Sequence, residues 1–205
     1  MKIDIGNKKG VIVIGTPRSG SHMLTDILFN TAALPNAKLL GEIRSDGNFS
    51  VDDFKNIESQ NQGSIIFCSV VQLWIKRVLA MDRNYLKDYV LVNLRRRDKV
   101  AQYISWCVFQ AQTTSSIVKH SPNWDDYKDC LPIETTQEHL NNFIDEQNLD
   151  FAFTDPDYIF YYEDIVNLNL HTNFKKNNYP VSHEQIVTDY AAVKTVLEKY
   201  NYNDR

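Results

Sequence analysis

The sequence predicts an α/β domain in which a mostly parallel sheet is covered by helices on both faces. Three observations predict it: short β-branched apolar runs recur along the chain, amphipathic helical segments separate them, and the first run leads into a glycine-containing loop. Strands that alternate with helices are joined by crossovers, which place helices against both faces of a parallel sheet. We therefore expect a three-layer architecture.

The predicted elements follow in order along the chain. Strands are predicted where β-branched and aromatic residues cluster, at residues 11–14, 64–71, 89–94 and 158–162. Helices are predicted where apolar residues recur every three or four positions, at residues 22–30, 73–81, 98–112, 134–148 and 188–200. The periodicity weakens over residues 113–155, which we interpret as an insertion that forms a lid. A length of 205 residues fits one domain with such an insertion.

Composition limits the function classes. The net charge of −4 argues against a nucleic-acid partner, and no apolar stretch is long enough to span a membrane. The N-terminal segment lacks the apolar core of a signal peptide and the three cysteines lack metal-type spacing, so we expect a cytoplasmic protein without a bound metal. Residues 1–120 are net +6 whereas residues 121–170 are net −11. The basic part is therefore where we expect an anionic ligand.

The loop after the first strand is the strongest functional signal. Its sequence is Gly15-Thr16-Pro17-Arg18-Ser19-Gly20-Ser21-His22. Backbone N–H groups at a helix N-terminus favour an anion there, and glycines let a phosphate approach the backbone. The two glycines are spaced as in the NTPase P-loop, but Ser21 replaces the lysine and His22 replaces the hydroxyl that ligates magnesium. The loop therefore suits an anionic group that is transferred without a metal, with Arg18 as the cation.

The segment Thr-Pro-Arg-Ser-Gly-Ser at residues 16–21 resembles the 5′-phosphosulfate loop of the sulfotransferases. These enzymes take a sulfuryl group from 3′-phosphoadenosine 5′-phosphosulfate (PAPS). The resemblance implies a P-loop-NTPase-like sulfotransferase fold, as a single domain over residues 1–205. It also implies that Arg18 stabilises the charge on the bridging oxygen as the S–O bond breaks. The residues implied to hold the 5′-phosphosulfate are Thr16, Pro17, Arg18, Ser19, Gly20, Ser21 and His22.

A second match is similar to the family's 3′-phosphate site, an Arg at a strand end followed by a Ser on the next helix. Arg97 and Ser105 have that spacing of eight residues. The string Arg95-Arg96-Arg97-Asp98-Lys99-Val100-Ala101-Gln102 resembles the bacterial trehalose-2-sulfotransferase-like branch in particular. An anion would also relieve the unfavourable placement of three arginines at a helix start. A solvated helix terminus or an RNA-binding patch are the alternatives for this cluster.

The acceptor side is less well defined by the sequence. The trehalose-type branch uses a Glu shortly after the first helix, and Glu42 lies in that region, so the resemblance implies that Glu42 is the general base. Tyr162-Glu163-Asp164-Ile165 resembles a segment that ends a strand in many sulfotransferases. The lysine that related enzymes often carry on the second predicted strand is missing here, which puts transfer activity in question.

The expected function is transfer of a sulfuryl group from PAPS to a hydroxyl of a carbohydrate or small metabolite, with adenosine 3′,5′-bisphosphate as the product. No nucleic-acid or membrane partner is expected, and a homodimer is common enough to expect. Two alternatives stay open: a small P-loop kinase, and a degenerate sulfotransferase-fold module that binds a nucleotide without transferring. The acidic residues 121–170 suit a neutral or cationic acceptor.

Overall fold

The computed structural model describes residues 2–43, 51–71, 86–114, 131–152, 155–168 and 181–200. The chain divides into two compact units. The first comprises Met1–Arg95 and Glu146–Lys175, and the second comprises Arg96–Asp145 and Lys176–Arg205. Each unit has its own core of buried apolar side chains.

The first unit is built on a parallel sheet of five strands, in the order β2-β3-β1-β4-β5. Their bounds are β1 Gly10–Gly15, β2 Ala37–Glu42, β3 Ile65–Val71, β4 Tyr89–Arg95 and β5 Tyr158–Tyr161. The predicted α/β class and parallel sheet are confirmed. The apolar runs that predicted β1, β3 and β4 are mostly buried because helices cover the sheet from both sides. Strand β5 is partly exposed at the edge of the sheet, with Ile159 43% exposed.

Helices α1 (Ser21–Ala32) and α2 (Val51–Gln60) cover opposite faces of this sheet. Side chains alternate along β1, so Val11 and Val13 join the cluster that contains α1, while Ile12 and Ile14 join the cluster that contains Phe54 of α2. All six residues of β1 are buried. The central strand is therefore apolar on both faces, and its functional residues follow at its end.

Two elements of the first unit were not predicted from the sequence. Strand β2 lies at the edge of the sheet, is partly exposed, and is interrupted by an irregularity near Gly41, whose φ is +68°. Helix α2 is mostly polar and buries Phe54 as its main apolar contact. The fourth predicted strand ends one residue early, because Tyr162 begins a short helix, α5 (Tyr162–Val166). The helix predicted at residues 73–81 lies outside the described residues.

The second unit is helical. Its core lies between α3 (Lys99–Thr114) and the part of α4 (Gln137–Ala152) that ends at Asp145. Tyr103 stacks on Trp106 with ring centroids 5.8 Å apart, and both rings contact Phe143. The C-terminal helix predicted at residues 188–200 is shorter: α7 is Tyr190–Leu197, and a 3₁₀ turn follows at Glu198–Tyr200. A separate short helix, α6 (His183–Ile186), precedes it. Among the described residues, no helix has the length and apolarity needed to cross a bilayer.

Candidate functional site

The strand order marks one edge of the sheet as a place for a ligand. The chain leaves β1 for β2 at one side of the sheet, and it leaves β4 for β5 at the other side. In open parallel sheets, ligands bind outside the carboxyl ends of neighbouring strands whose connections diverge in this way. Strands β1 and β4 are neighbours, and the glycine loop begins at the carboxyl end of β1.

The backbone of the loop turns sharply between β1 and α1. Arg18 and Gly20 both have left-handed conformations, with φ of +64° and +93°, and the Ser19 N–H donates to the Thr16 carbonyl at 3.0 Å. Left-handed residues in such turns can direct successive N–H groups toward one side, which makes a concavity for an anion. A non-glycine residue in this conformation is strained, and such strain is concentrated at binding and catalytic sites.

Packing explains the two glycines of the loop. A Cβ on Gly15 would lie 2.3 Å from Ser19 Oγ, and a Cβ on Gly20 would lie 2.7 Å from the Tyr162 ring. Both distances are shorter than real Cβ contacts, so a side chain at either position would force its neighbour to move. Tyr162, which the sequence suggested only as a structural marker, therefore packs directly against the loop.

Helix α1 begins without the side chains that usually neutralise a helix N-terminus. Its N-cap is Gly20, no side chain of the described residues caps it, and its first turn has no acidic residue. The first N–H groups of a helix are left unpaired by the helix itself and carry partial positive charge. Beside them, Ser19 is 1% exposed, and its hydroxyl has no hydrogen-bond partner among the described residues. The Ser19 hydroxyl and the partial positive charge of the helix start both favour an anion here.

The candidate base lies at the same helix start. Glu42, the last residue of β2, has its Oε2 2.8 Å from Nε2 of His22 in the first turn of α1. The carboxylate is largely buried, at 14% exposure, and the imidazole is 36% exposed. The sequence predicted both residues but not their contact, because β2, which carries Glu42 to this position, was not recognised.

The part of α4 that begins at Glu146 belongs to the first unit and contacts the loop. The Thr16 hydroxyl donates to Oε1 of Gln147 in α4 at 3.3 Å, and both side chains are buried. Next to Gln147, burial raises the pKa of Glu146 to about 7. Gln147 is a contact that sequence reasoning missed, since the motif carries no information about what packs against it.

Arg97 and Ser105 lie in the second unit. Arg97 is half-buried two residues before α3, and Ser105 is buried within that helix. The Asp98 carboxylate caps α3 by accepting from the Ala101 N–H at 2.8 Å. This cap offsets part of the positive charge at the helix start, so the argument that three arginines there require an anionic ligand is weaker than the sequence suggested. Lys99 follows the cap and is fully buried, with its ammonium 3.2 Å from Gln102 Oε1.

Two polar residues inside the sheet were not singled out from the sequence. Ser69 of β3 and Asn93 of β4 are both 0% exposed. The described residues offer no hydrogen-bond partner to the Ser69 hydroxyl or to either polar atom of the Asn93 amide. Ser69 is in register with Val13 of β1, and Asn93 is in register with Ile14. A polar residue within an otherwise apolar strand sequence was the available signal for each.

No protein-family model matches this chain, and no curated protein is significantly similar to it. Within the described residues, no group of three or more His, Cys, Asp or Glu side chains could hold a metal ion. Residues 115–130 and 153–154 of the predicted lid lie outside the described residues. The function is therefore inferred from the chemistry of the site itself.

Proposed function

We propose that this protein is a PAPS-dependent sulfotransferase with a P-loop-like sulfotransferase fold, acting on a hydroxyl of a carbohydrate or small metabolite. The observation that carries the proposal is the 2.8 Å contact between Glu42 and His22. It brings a carboxylate to the start of the helix that follows the glycine loop, and sulfuryl transfer requires a base and an anion-binding loop close together.

In the proposed reaction, Glu42 accepts the proton of the acceptor hydroxyl. The hydroxyl oxygen forms a bond to sulfur on the side opposite the 5′-phosphate, and the S–O bond to that phosphate breaks. The electron pair remains on the phosphate oxygen, so negative charge grows there. Arg18 and the N–H groups at the start of α1 stabilise this charge. The products are the sulfated acceptor and adenosine 3′,5′-bisphosphate.

The residues of the loop favour this donor over a nucleoside triphosphate. Kinases of the P-loop type use a lysine to hold the phosphates and a Ser or Thr hydroxyl to ligate magnesium. Ser21 and His22 occupy those positions here. The proposed donor needs neither group, since Arg18 supplies the positive charge. Arg97 and Ser105 are proposed to hold the 3′-phosphate through a guanidinium fork and a hydroxyl.

Calorimetric titration with adenosine 3′,5′-bisphosphate tests the donor site. We expect binding without added metal, and Arg97→Ala should weaken it at least tenfold, because a charge-assisted hydrogen bond contributes about 1.5–3 kcal/mol. Lys199→Ala, which removes a cation near the C-terminus, is the control and should bind like the wild type. No heat of binding at millimolar ligand would contradict the proposal.

Turnover of PAPS with a panel of sugars and small alcohols tests the base. Glu42→Gln should lower kcat by about 10²–10⁴-fold, the usual contribution of a general base, while leaving adenosine 3′,5′-bisphosphate binding nearly unchanged. Glu198→Gln, which alters a half-exposed carboxylate, is the control and should keep wild-type turnover. Equal kcat values for Glu42→Gln and the wild type would exclude Glu42 as the base.

A second candidate function is nucleotide binding without transfer. It is favoured by strand β3, whose residues Ile65–Val71 include no lysine where related sulfotransferases often have one. In that case adenosine 3′,5′-bisphosphate should bind tightly, and PAPS should not be consumed with any acceptor of the panel.

A further inference from the structure

Asn93 is the most unusual polar residue of the sheet. Its side chain is fully buried, and within the part of the chain that the structure describes neither its amide nitrogen nor its amide oxygen has a hydrogen-bond partner. Buried polar groups are almost always paired, because the folded protein otherwise loses the hydrogen bonds that water made. An apolar residue of the same size would fit a core strand without this cost. The retention of an amide here requires another explanation.

The position of Asn93 supplies one. It is in register with Ile14, the residue before the glycine loop. Its strand, β4, is the neighbour of β1, and the connections that follow these two strands run to opposite sides of the sheet. The next residue, Leu94, lies beside the loop: its carbonyl oxygen is 3.1 Å from where a Cβ on Gly15 would be. On the loop side, the same Gly15 lies against the unpaired hydroxyl of Ser19. Asn93 therefore comes one residue before the part of β4 that lies against the start of the loop.

The register also defines which face the amide occupies. Residues paired across parallel strands project to the same face, and Ile14 belongs to the core cluster that contains Phe54 of α2. Asn93 therefore projects to the face opposite α1. Asn93 thus lies close in register to the carboxyl ends of β1 and β4, the edge of the sheet where the strand order predicts a ligand.

We propose that Asn93 is a ligand-binding residue that donates from its amide nitrogen to an oxygen of the oxyanion held by the glycine loop. The class of ligand is a sulfate or phosphate ester, and its identity as the 5′-phosphosulfate of PAPS rests on the proposed function. A neutral amide is suited to this role because it donates a hydrogen bond without adding charge to the site. It can therefore be present when either the donor nucleotide or its product is bound.

The first test uses the ligand-free protein and does not depend on any activity. Asn93→Leu should raise the Tm by about 2–4 °C, because it removes an unpaired amide and replaces it with an apolar side chain of similar size. Asn93→Val, which is smaller and suits a strand, guards against overpacking by leucine and should also not lower the Tm.

Asn61→Leu is the matched control for an asparagine whose amide is paired. The side-chain nitrogen of Asn61, Nδ2, donates to the Ile57 carbonyl at 2.7 Å, and its side-chain oxygen, Oδ1, accepts from the Lys38 ammonium at 2.8 Å. Loss of both hydrogen bonds should lower the Tm. If Asn93→Leu and Asn93→Val both lower the Tm as much as Asn61→Leu does, or fail to fold, the Asn93 amide has a structural partner and the proposal is wrong.

The second test measures binding of adenosine 3′,5′-bisphosphate and, separately, of inorganic sulfate. Asn93→Leu should bind each at least tenfold more weakly than the wild type, whereas Asn61→Leu should bind each as the wild type does. Unchanged affinity in Asn93→Leu would overturn the role of Asn93 and leave the proposed function standing. If the wild type binds sulfate through Asn93 but does not bind the nucleotide, the role of Asn93 stands and the proposed function fails.

Discussion

The two ends of the central sheet treat their polar side chains differently. At the amino end, the Lys9 ammonium contacts Asp88 at 2.8 Å and Glu58 at 3.2 Å, and the buried Tyr89 hydroxyl donates to the same Glu58 at 2.6 Å. The hydrogen bond between Lys9 and Asp88 raises the pKa of Lys9 and lowers the pKa of Asp88. The polar groups named here are paired with one another.

At the carboxyl end, Ser19, Ser69 and Asn93 are buried and have no hydrogen-bond partners among the residues that the structure describes. The loop there also holds Arg18 in a left-handed conformation. Each of these features lowers the free energy of unfolding, whereas the paired polar groups at the amino end carry no such cost. The two ends of one sheet can therefore differ, with paired polar groups that stabilise the fold at one end and unpaired groups suited to a ligand at the other. Functional sites are where residues selected for binding lower stability.

The largest expected effect comes from Gly20→Ala. The positive φ alone costs about 1–2 kcal/mol for a residue with a Cβ, and overpacking against the Tyr162 ring, 2.7 Å away, adds about 1–3 kcal/mol. Urea denaturation measures the sum. Gly63→Ala is the matched control at the amino end, because Gly63 has φ of +77° but nothing within 4 Å of a Cβ. Equal losses of stability in the two variants would contradict close packing of the loop.

The next effect is a dependence of stability on pH that comes from Glu146. Its pKa is raised by burial from 4.5 to about 7 in the folded protein, so the folded state keeps a proton that the unfolded state has released. The free energy of unfolding should therefore fall as the pH rises from 4.5 to about 7, by a total of about 3 kcal/mol.

Urea denaturation across that pH range measures this loss. Glu146→Gln should lack it, whereas Glu198→Gln, which changes a half-exposed carboxylate, should retain it. If the free energy of unfolding changed with pH in the same way in the wild type and in Glu146→Gln, burial of this carboxyl would have no effect on stability.

The smallest effects compare single hydroxyl groups at the two ends. Tyr89→Phe removes the hydrogen bond to Glu58 at the amino end and should cost about 1.5–3 kcal/mol. Ser69→Ala removes an unpaired hydroxyl on the neighbouring strand β3 and should leave stability unchanged or slightly raised. Chemical denaturation of both variants measures the difference. A larger loss for Ser69→Ala than for Tyr89→Phe would reverse the comparison between the two ends.

Prediction from the sequence succeeded where the signal was local. The run at residues 11–14 is apolar throughout, so its burial in the sheet followed directly, and the glycine loop was recognisable from its spacing. Strand β2 was missed because its residues are partly exposed and Gly41 interrupts them. Consequently Glu42 could be nominated by resemblance, but its position against His22 could not.

The sequence by itself determined the α/β class, the loop between β1 and α1, and the residue types that could bind an anion. These features depend on contacts within a few residues, which a local pattern records. Only the tertiary structure decided that Glu42 contacts His22, that Gln147 accepts from Thr16, and that Ser69 and Asn93 are buried unpaired beside β1. Each of those facts joins residues distant in sequence, and pairing across strands and helices is set by the whole fold.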